Sequence, residues 1–160
     1  MKKDTLYVGL DTDKKHIDVA VAEGLPGGEV RYWGRTANTA ASADRLVKKL
    51  GQGGRELVVC YEAGPCGYGL YRHLSVKRGV KCLVVAPSMT PRRPGERVKT
   101  NRRDALKLAK LLRAQELTAV WVPDAAHEAI RDLVRARSTA VSTLTRCRQH
   151  ISSFLLRQAI

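Results

Sequence analysis

The run Leu6-Tyr7-Val8-Gly9-Leu10-Asp11 constrains the fold more than any other stretch, because it is apolar on both faces and closes on a carboxylate. A strand of that kind must be covered on both sides, which is the position of a central strand in an α/β sheet. An Asp at its C-terminal end then opens into the crevice where such folds place their chemistry. After the polar Thr12-Asp13-Lys14-Lys15 a second β-like run, Ile17-Asp18-Val19-Ala20-Val21-Ala22, follows at once, so the chain starts as a hairpin. Taken with this strand alone, Asp11 also reads as a turn residue, since Asp, Thr and Lys are ordinary in turns.

The turn Gly24-Leu25-Pro26-Gly27-Gly28 leads to a third, half-exposed strand over Glu29–Trp33. Asn38 or Thr39 is placed to cap a helix through Leu50, which Gly51 and Gly53 end. Leu57-Val58-Val59-Cys60-Tyr61-Glu62 is a second buried strand that closes on a carboxylate. Behind it Pro65 suits the first position of a helix carrying Leu70, Tyr71 and Leu74, and Val80–Ala86 is a third buried strand closed by Pro87. Ser88–Thr100 has no apolar period and reads as an exposed basic loop. From Asn101 a helix lines up Ala105, Leu108, Ala109 and Leu112 on one face. After the extended link Val120–Pro123, Asp124 caps a last long helix reaching at least Gln158. Its Ile130, Leu133, Ala140, Leu144, Cys147, Ile151 and Phe154 fall on a and d heptad positions, with Arg137 the one exception, a period that suits a coiled-coil seam.

The order β-β-β-α-β-α-β-α is that of an RNase H-like α/β fold with a mixed sheet and flanking helices, in which the first and fourth strands lie side by side. Strand axes about 4.8 Å apart put Asp11 and Glu62 within reach of one metal ion. The helix after the fifth strand brings Asp104 across the top of the sheet. Several carboxylates around Mg²⁺ ions are what phosphoryl transfer on nucleic acid requires, and a divalent cation relieves their repulsion. Asp13 reads as a turn residue and Asp18 as a solvent-facing strand position.

Three motifs in this order carry a resemblance. Gly9-Leu10-Asp11 with Asp18 on the next strand, Tyr61-Glu62-Ala63-Gly64-Pro65-Cys66-Gly67-Tyr68, and Lys99-Thr100-Asn101-Arg102-Arg103-Asp104-Ala105 together resemble the RuvC-like N-terminal domain of DEDD insertion-sequence transposases, a group that includes the Piv/MooV DNA invertases. The resemblance runs from about Tyr7 to the end of the chain. It implies that Asp11, Glu62 and Asp104 are the first, second and fourth members of a catalytic, metal-holding tetrad using Mg²⁺ or Mn²⁺. The third member is where the sequence departs, with Asn101 in place of an Asp. Asn101 and Asp104 share a helical face, so Asn101 either lends a carbonyl oxygen to the metal or caps the helix by accepting from the Asp104 amide. The resemblance further implies a DNA transposase or site-specific recombinase working with a guide RNA. It also implies a further C-terminal domain with a serine nucleophile, so that the chain by itself does not recombine DNA. On this reading residues 1–123 are the RuvC-like metal-binding domain, and residues 124–160 are a coiled-coil dimerisation helix truncated before that further domain.

Charge points the same way. Lys and Arg number 29 against 15 Asp and Glu, a net +14, and such a surplus is relieved by a polyanion. Arg92, Arg93, Arg97, Lys99, Arg102, Arg103, Lys107 and Lys110 cluster on the segment that carries the third motif and are the nucleic-acid candidates, contacting backbone more than bases because aromatics are few. Cys60, Cys66, Cys82 and Cys147 form no CxxC pair and have no His at ligand spacing, which argues against zinc and for buried thiols in a reducing compartment. No apolar run is long enough for a membrane, and a cytoplasmic protein is expected. Two other readings stay open: a free-standing Holliday-junction-type nuclease, and a catalytically idle nucleic-acid-binding and dimerisation module. Gly9-Leu10-Asp11-Thr12 also resembles the phosphate loop of sugar kinases and actin-like ATPases, but the second Gly-rich motif of those proteins is missing.

Overall fold

The computed structural model describes residues 5–25, 27–91 and 100–159. Contacts divide the chain into a unit ending at Trp121 and a second from Val122 onward.

The first unit is built on one mixed sheet. Strands β1 (Thr5–Thr12), β2 (His16–Glu23) and β3 (Val30–Ala37) are antiparallel neighbours, while β4 (Glu56–Glu62) and β5 (Lys81–Val85) run parallel beyond β1, giving the order β3-β2-β1-β4-β5. This is the expected RNase H-like order, with the first and fourth strands hydrogen-bonded to each other. The β1–β2 hairpin turns on Asp13, whose carboxylate accepts from the amides of Lys15 and His16, as a turn Asp does. Strand β3 runs on to Ala37, beyond the Trp33 expected from sequence, because Gly34 at φ 141° carries the chain through an irregularity there.

One face of the sheet is covered by α1 (Ala40–Leu50), whose N-cap is Thr39, its side chain accepting from the Ser42 amide. Val8, Leu10 and Ile17 meet Ala43, Val47 and Leu50 there. The other face is covered by α3 (Asn101–Ala114) through a core of small and apolar residues, among them Ala20, Ala22, Cys60, Ala105, Leu108 and Ala109. Gly9 sets how closely α3 lies on β1: a Cβ at this position would stand 2.4 Å from both the Ala105 carbonyl oxygen and the Ala109 nitrogen. Between β4 and β5 the chain does not become helical at Pro65. It turns over Gly64–Gly67, with Gly67 at φ 66°, and enters the short α2 (Gly69–Tyr71), continuing as π-helical turns over Arg72–Lys77. Asp44 of α1 ties that segment down, bonded to His73 Nε2 at 2.6 Å and to the Arg78 guanidinium. The link after α3 adds one bridge to the sheet edge, Ala119 against Val85.

The second unit contains one helix, α4 (Ala125–Arg157), capped by Asp124, whose carboxylate accepts from the His127 amide. No residue of α4 is buried. Ile130, Leu133, Leu144, Ile151 and Phe154 of the heptad are all exposed, as are Val134 and Val141 beside them. Of the four cysteines, Cys60 and Cys82 are buried, and burial holds both thiols protonated, Cys82 pushed up to about 12. Cys66 and Cys147 are exposed, against the expectation of buried thiols, because they lie on a surface turn and on the uncovered helix. Among the described residues no helix is long and apolar enough to cross a membrane.

Candidate active site

Side chains alternate along a strand, so the residues on the α3 face identify those that follow them. Tyr7 and Gly9 lie under α3, which puts Asp11 on that face, and Val58 and Cys60 put Glu62 there as well. Leu10 pairs with Tyr61 in the parallel β1–β4 ladder, so Asp11 and Glu62 are the next matched positions, at the C-terminal ends of neighbouring strands. Glu62 in turn faces Val85 of β5. Asp104 stands in the first turn of α3, just before the Ala105 that packs on Gly9. Asp11, Glu62 and Asp104 are all partly exposed. A carboxylate in a helix's first turn is also favoured by the helix dipole.

These are hard oxygen donors of the kind Mg²⁺ and Mn²⁺ take, two of them at matched strand ends and the third on the helix that covers the same face. They do not form a closed ligand shell: among the described residues no group of three or more His, Cys, Asp or Glu is close enough to hold a metal ion. Asn101 is not the helix cap. Thr100 is, its hydroxyl accepting from the Arg103 amide, and Asn101 is the first helical residue. Its capping alternative is thereby removed.

Asp18 is the residue that the sequence placed wrongly. Expected to face solvent, it is 1 % exposed and lies opposite Asp11 in the β1–β2 register, on the α3 face with Ala20 and Ala22. Its carboxylate accepts from the Tyr32 hydroxyl at 2.5 Å and from Arg35 Nε at 3.0 Å. The Arg102 guanidinium lies 5.0 Å from the centroid of the same Tyr32 ring. Burial, and then the bond to Asp18, raises the Tyr32 phenol above its ordinary range, so it stays a donor. A line of contacts thus runs from β2 through β3 to the first turn of α3, the turn that carries Asn101 and Asp104. The signal for Asp18 was its parity with Ala20 and Ala22, two small residues suited to a close-lying helix.

Of the basic candidates, Arg92, Arg93, Arg97 and Lys99 lie outside the described residues. Arg102, Arg103 and Lys110 are exposed on α3, and Lys107 is partly so. Arg113, at the end of the same run, donates to the carbonyls of Gly28, at 2.7 Å, and Glu23 and so closes the β2–β3 connection.

The family model DEDD_Tnp_IS110, described as Transposase, matches residues 8–159. A putative transposase, y4qE, of Sinorhizobium fredii is 56 % identical over 151 residues, covering 94 % of this chain and 38 % of that protein. The transposase for insertion sequence element IS1533 of Leptospira borgpetersenii is 36 % identical over 159 residues, covering 99 % of this chain and 45 % of that one. The chain therefore spans less than half the length of these curated relatives. Among solved structures, Thermus thermophilus RuvC aligns over 72 % of this chain and all of its own, at 14 % identity and a TM-score of 0.44.

Proposed function

The chain belongs to the DEDD_Tnp_IS110 transposase family, and from that membership we propose that it is the RuvC-like, carboxylate-bearing part of a DNA transposase or recombinase. The observation that supports this reading is one of register: Asp11 and Glu62 end neighbouring parallel strands on one face, and Asp104 stands in the first turn of the helix that covers that face. Asp11, Glu62 and Asp104 would hold Mg²⁺ or Mn²⁺, with Asn101 offering a carbonyl oxygen and no charge. A divalent cation held there activates an attacking oxygen and steadies a leaving one in phosphodiester chemistry.

The chain's own residues do the rest. Asp18, Tyr32 and Arg102 brace the first turn of α3 over the sheet, and Gly9 lets that helix lie close on β1. Arg102, Arg103, Lys107 and Lys110, with Arg92, Arg93, Arg97 and Lys99, contact phosphates of DNA, and of a guide RNA where one is bound. The exposed seam of α4 pairs with a second copy. A serine nucleophile from another domain completes the reaction, to which residues 1–160 contribute the binding of metal and nucleic acid, in a cytoplasmic setting.

The second reading, an idle nucleic-acid-binding and dimerisation module, is favoured by Asn101 and by the absence, among the described residues, of a gathered three-ligand cluster. Duplex DNA affinity measured across a salt series, in EDTA and in Mn²⁺, separates the two. The transposase reading expects a log-log slope of about −0.9 per phosphate contacted, flattened in the Arg92→Ala/Arg93→Ala/Arg97→Ala variant, and tighter binding in Mn²⁺. A salt slope with no effect of Mn²⁺ would favour the idle module.

A further inference from the structure

Among the described residues strand β3 is the outer edge of the sheet, paired with β2 alone. Val19 pairs with Gly34 and Ala20 with Tyr32, so Trp33 has no partner and forms a bulge. Bulges at sheet edges re-aim side chains. Here Tyr32 is committed to the α3 face, where it meets Asp18 and Arg102, while Trp33 is turned to the opposite face, beside α1. Lys49 Nζ of α1 lies 5.4 Å from the Trp33 ring centroid and Arg31 Cζ lies 5.6 Å from it. Arg31 belongs to that face by register, since it pairs with Val21, which pairs with the Val8 that packs under α1.

The ring is half-buried, with its two cations exposed and the exposed Arg45 and Lys48 on the same helix. Glu29 lies 3.7 Å from Arg31, and the one acid of α1, Asp44, is held by Arg78 and His73. An aromatic ring at a strand edge with two exposed, flexible cations over it has the chemistry of a platform for unpaired nucleic acid, where a base displaces a cation from the ring and the cations hold the flanking phosphates. Duplex DNA cannot use the ring in this way, because its bases are already stacked on one another.

We propose that Trp33, Arg31 and Lys49 form a second nucleic-acid surface, across the sheet from the carboxylates, that binds an unpaired segment of the DNA substrate. The proposal rests on the reading that the chain works on DNA, and strand transfer supplies such unpaired segments. The edge-protection alternative, in which the cations merely shield an exposed strand, expects effects on solubility and none on binding.

The test uses the full chain carrying Trp121→Phe, which leaves Trp33 as the one tryptophan of the sequence. Its fluorescence is titrated with oligothymidylate, oligouridylate and a short duplex. Oligothymidylate should quench Trp33, and the duplex should not. Trp33→Ala should weaken oligothymidylate binding at least fivefold, as loss of one stacked base implies, while Trp33→Phe restores most of it. Duplex affinity and the Mn²⁺ response should stay unchanged in these variants, so a failure here is distinguishable from a failure of the metal reading. Absence of quenching by oligothymidylate overturns the proposal even if Trp33→Ala does not fold. Quenching by oligouridylate alone overturns the assignment to DNA.

Discussion

Asp18 sits opposite Asp11 in the antiparallel register of β1 and β2, yet Asp18 is buried to 1 % exposure while Asp11 stays partly open to solvent. Two carboxylates side by side repel, and Asp18 is tolerated because Tyr32 and Arg35 both donate to it. Replacing Asp18 with Ala leaves the Tyr32 hydroxyl without its acceptor and should cost about 2 kcal/mol, and Tyr32→Phe about 1 kcal/mol. Urea denaturation checks both. A Tyr32→Phe variant as stable as wild type would show that the Asp18–Tyr32 bond carries no net stability.

The contact of α3 with Gly9 predicts an effect from a single methyl group. Gly9→Ala must move helix backbone, not a flexible side chain, because the new Cβ meets the Ala105 oxygen and Ala109 nitrogen at 2.4 Å. The expected loss is about 3 kcal/mol, at the upper end for overpacking, together with loss of any Mn²⁺-dependent stabilisation. Thermal melts with and without Mn²⁺ measure both. Unchanged melts would mean that α3 shifts without cost.

Acid should release the tie between α1 and the π-helical segment. The Arg78 guanidinium, and then His73, holds the Asp44 carboxyl down to about 2 from an ordinary 3.8. A depressed carboxylate adds stability that is present above its unfolded value and is lost as pH falls through its folded one. Wild type should therefore exceed Asp44→Asn in Tm near neutral pH, by a small margin because the group is at the surface. The margin should close as pH drops from about 4 towards about 2. A difference that is constant over this range would remove Asp44 from the acid response.

The heptad of α4 predicts self-association. Leu133 is 72 % exposed and Leu144 51 %, in a seam with Ile130, Ile151 and Phe154, and a paired helix would bury these side chains between a and d layers. Equilibrium ultracentrifugation should find a dimer or higher species that Leu144→Asp converts to monomer. Wild type found monomeric at tens of micromolar would reject the seam as a self-association surface.

Much of this was legible in the sequence because burial on both faces marks a central strand. Leu6–Leu10 and Leu57–Tyr61 stood out for that reason, and each ended on the acid that the fold brings to one corner. Asp18 was misjudged because a strand's alternation says which residues share a face, but not which face a helix will later cover. Pro65 looked like a helix start, and the chain instead spends Gly64–Gly67 on a turn. Asn101 reads from the sequence as either a metal ligand or a cap, and Thr100 takes the cap because it holds the extended backbone a cap needs. Gly9 belongs to the first motif, but its close approach to α3 is not legible there, since it comes from packing between distant segments.

Asp11, Glu62 and Asp104 are proposed to hold a divalent cation together. Calorimetric titration of Mn²⁺ into the wild-type chain and into Asp11→Ala tests it most directly, with Asn101→Asp as the gain-of-charge variant. Saturable binding is expected in wild type, loss of most of it in a still-folded Asp11→Ala, and tighter binding in Asn101→Asp. Equal Mn²⁺ binding by wild type and Asp11→Ala would contradict it.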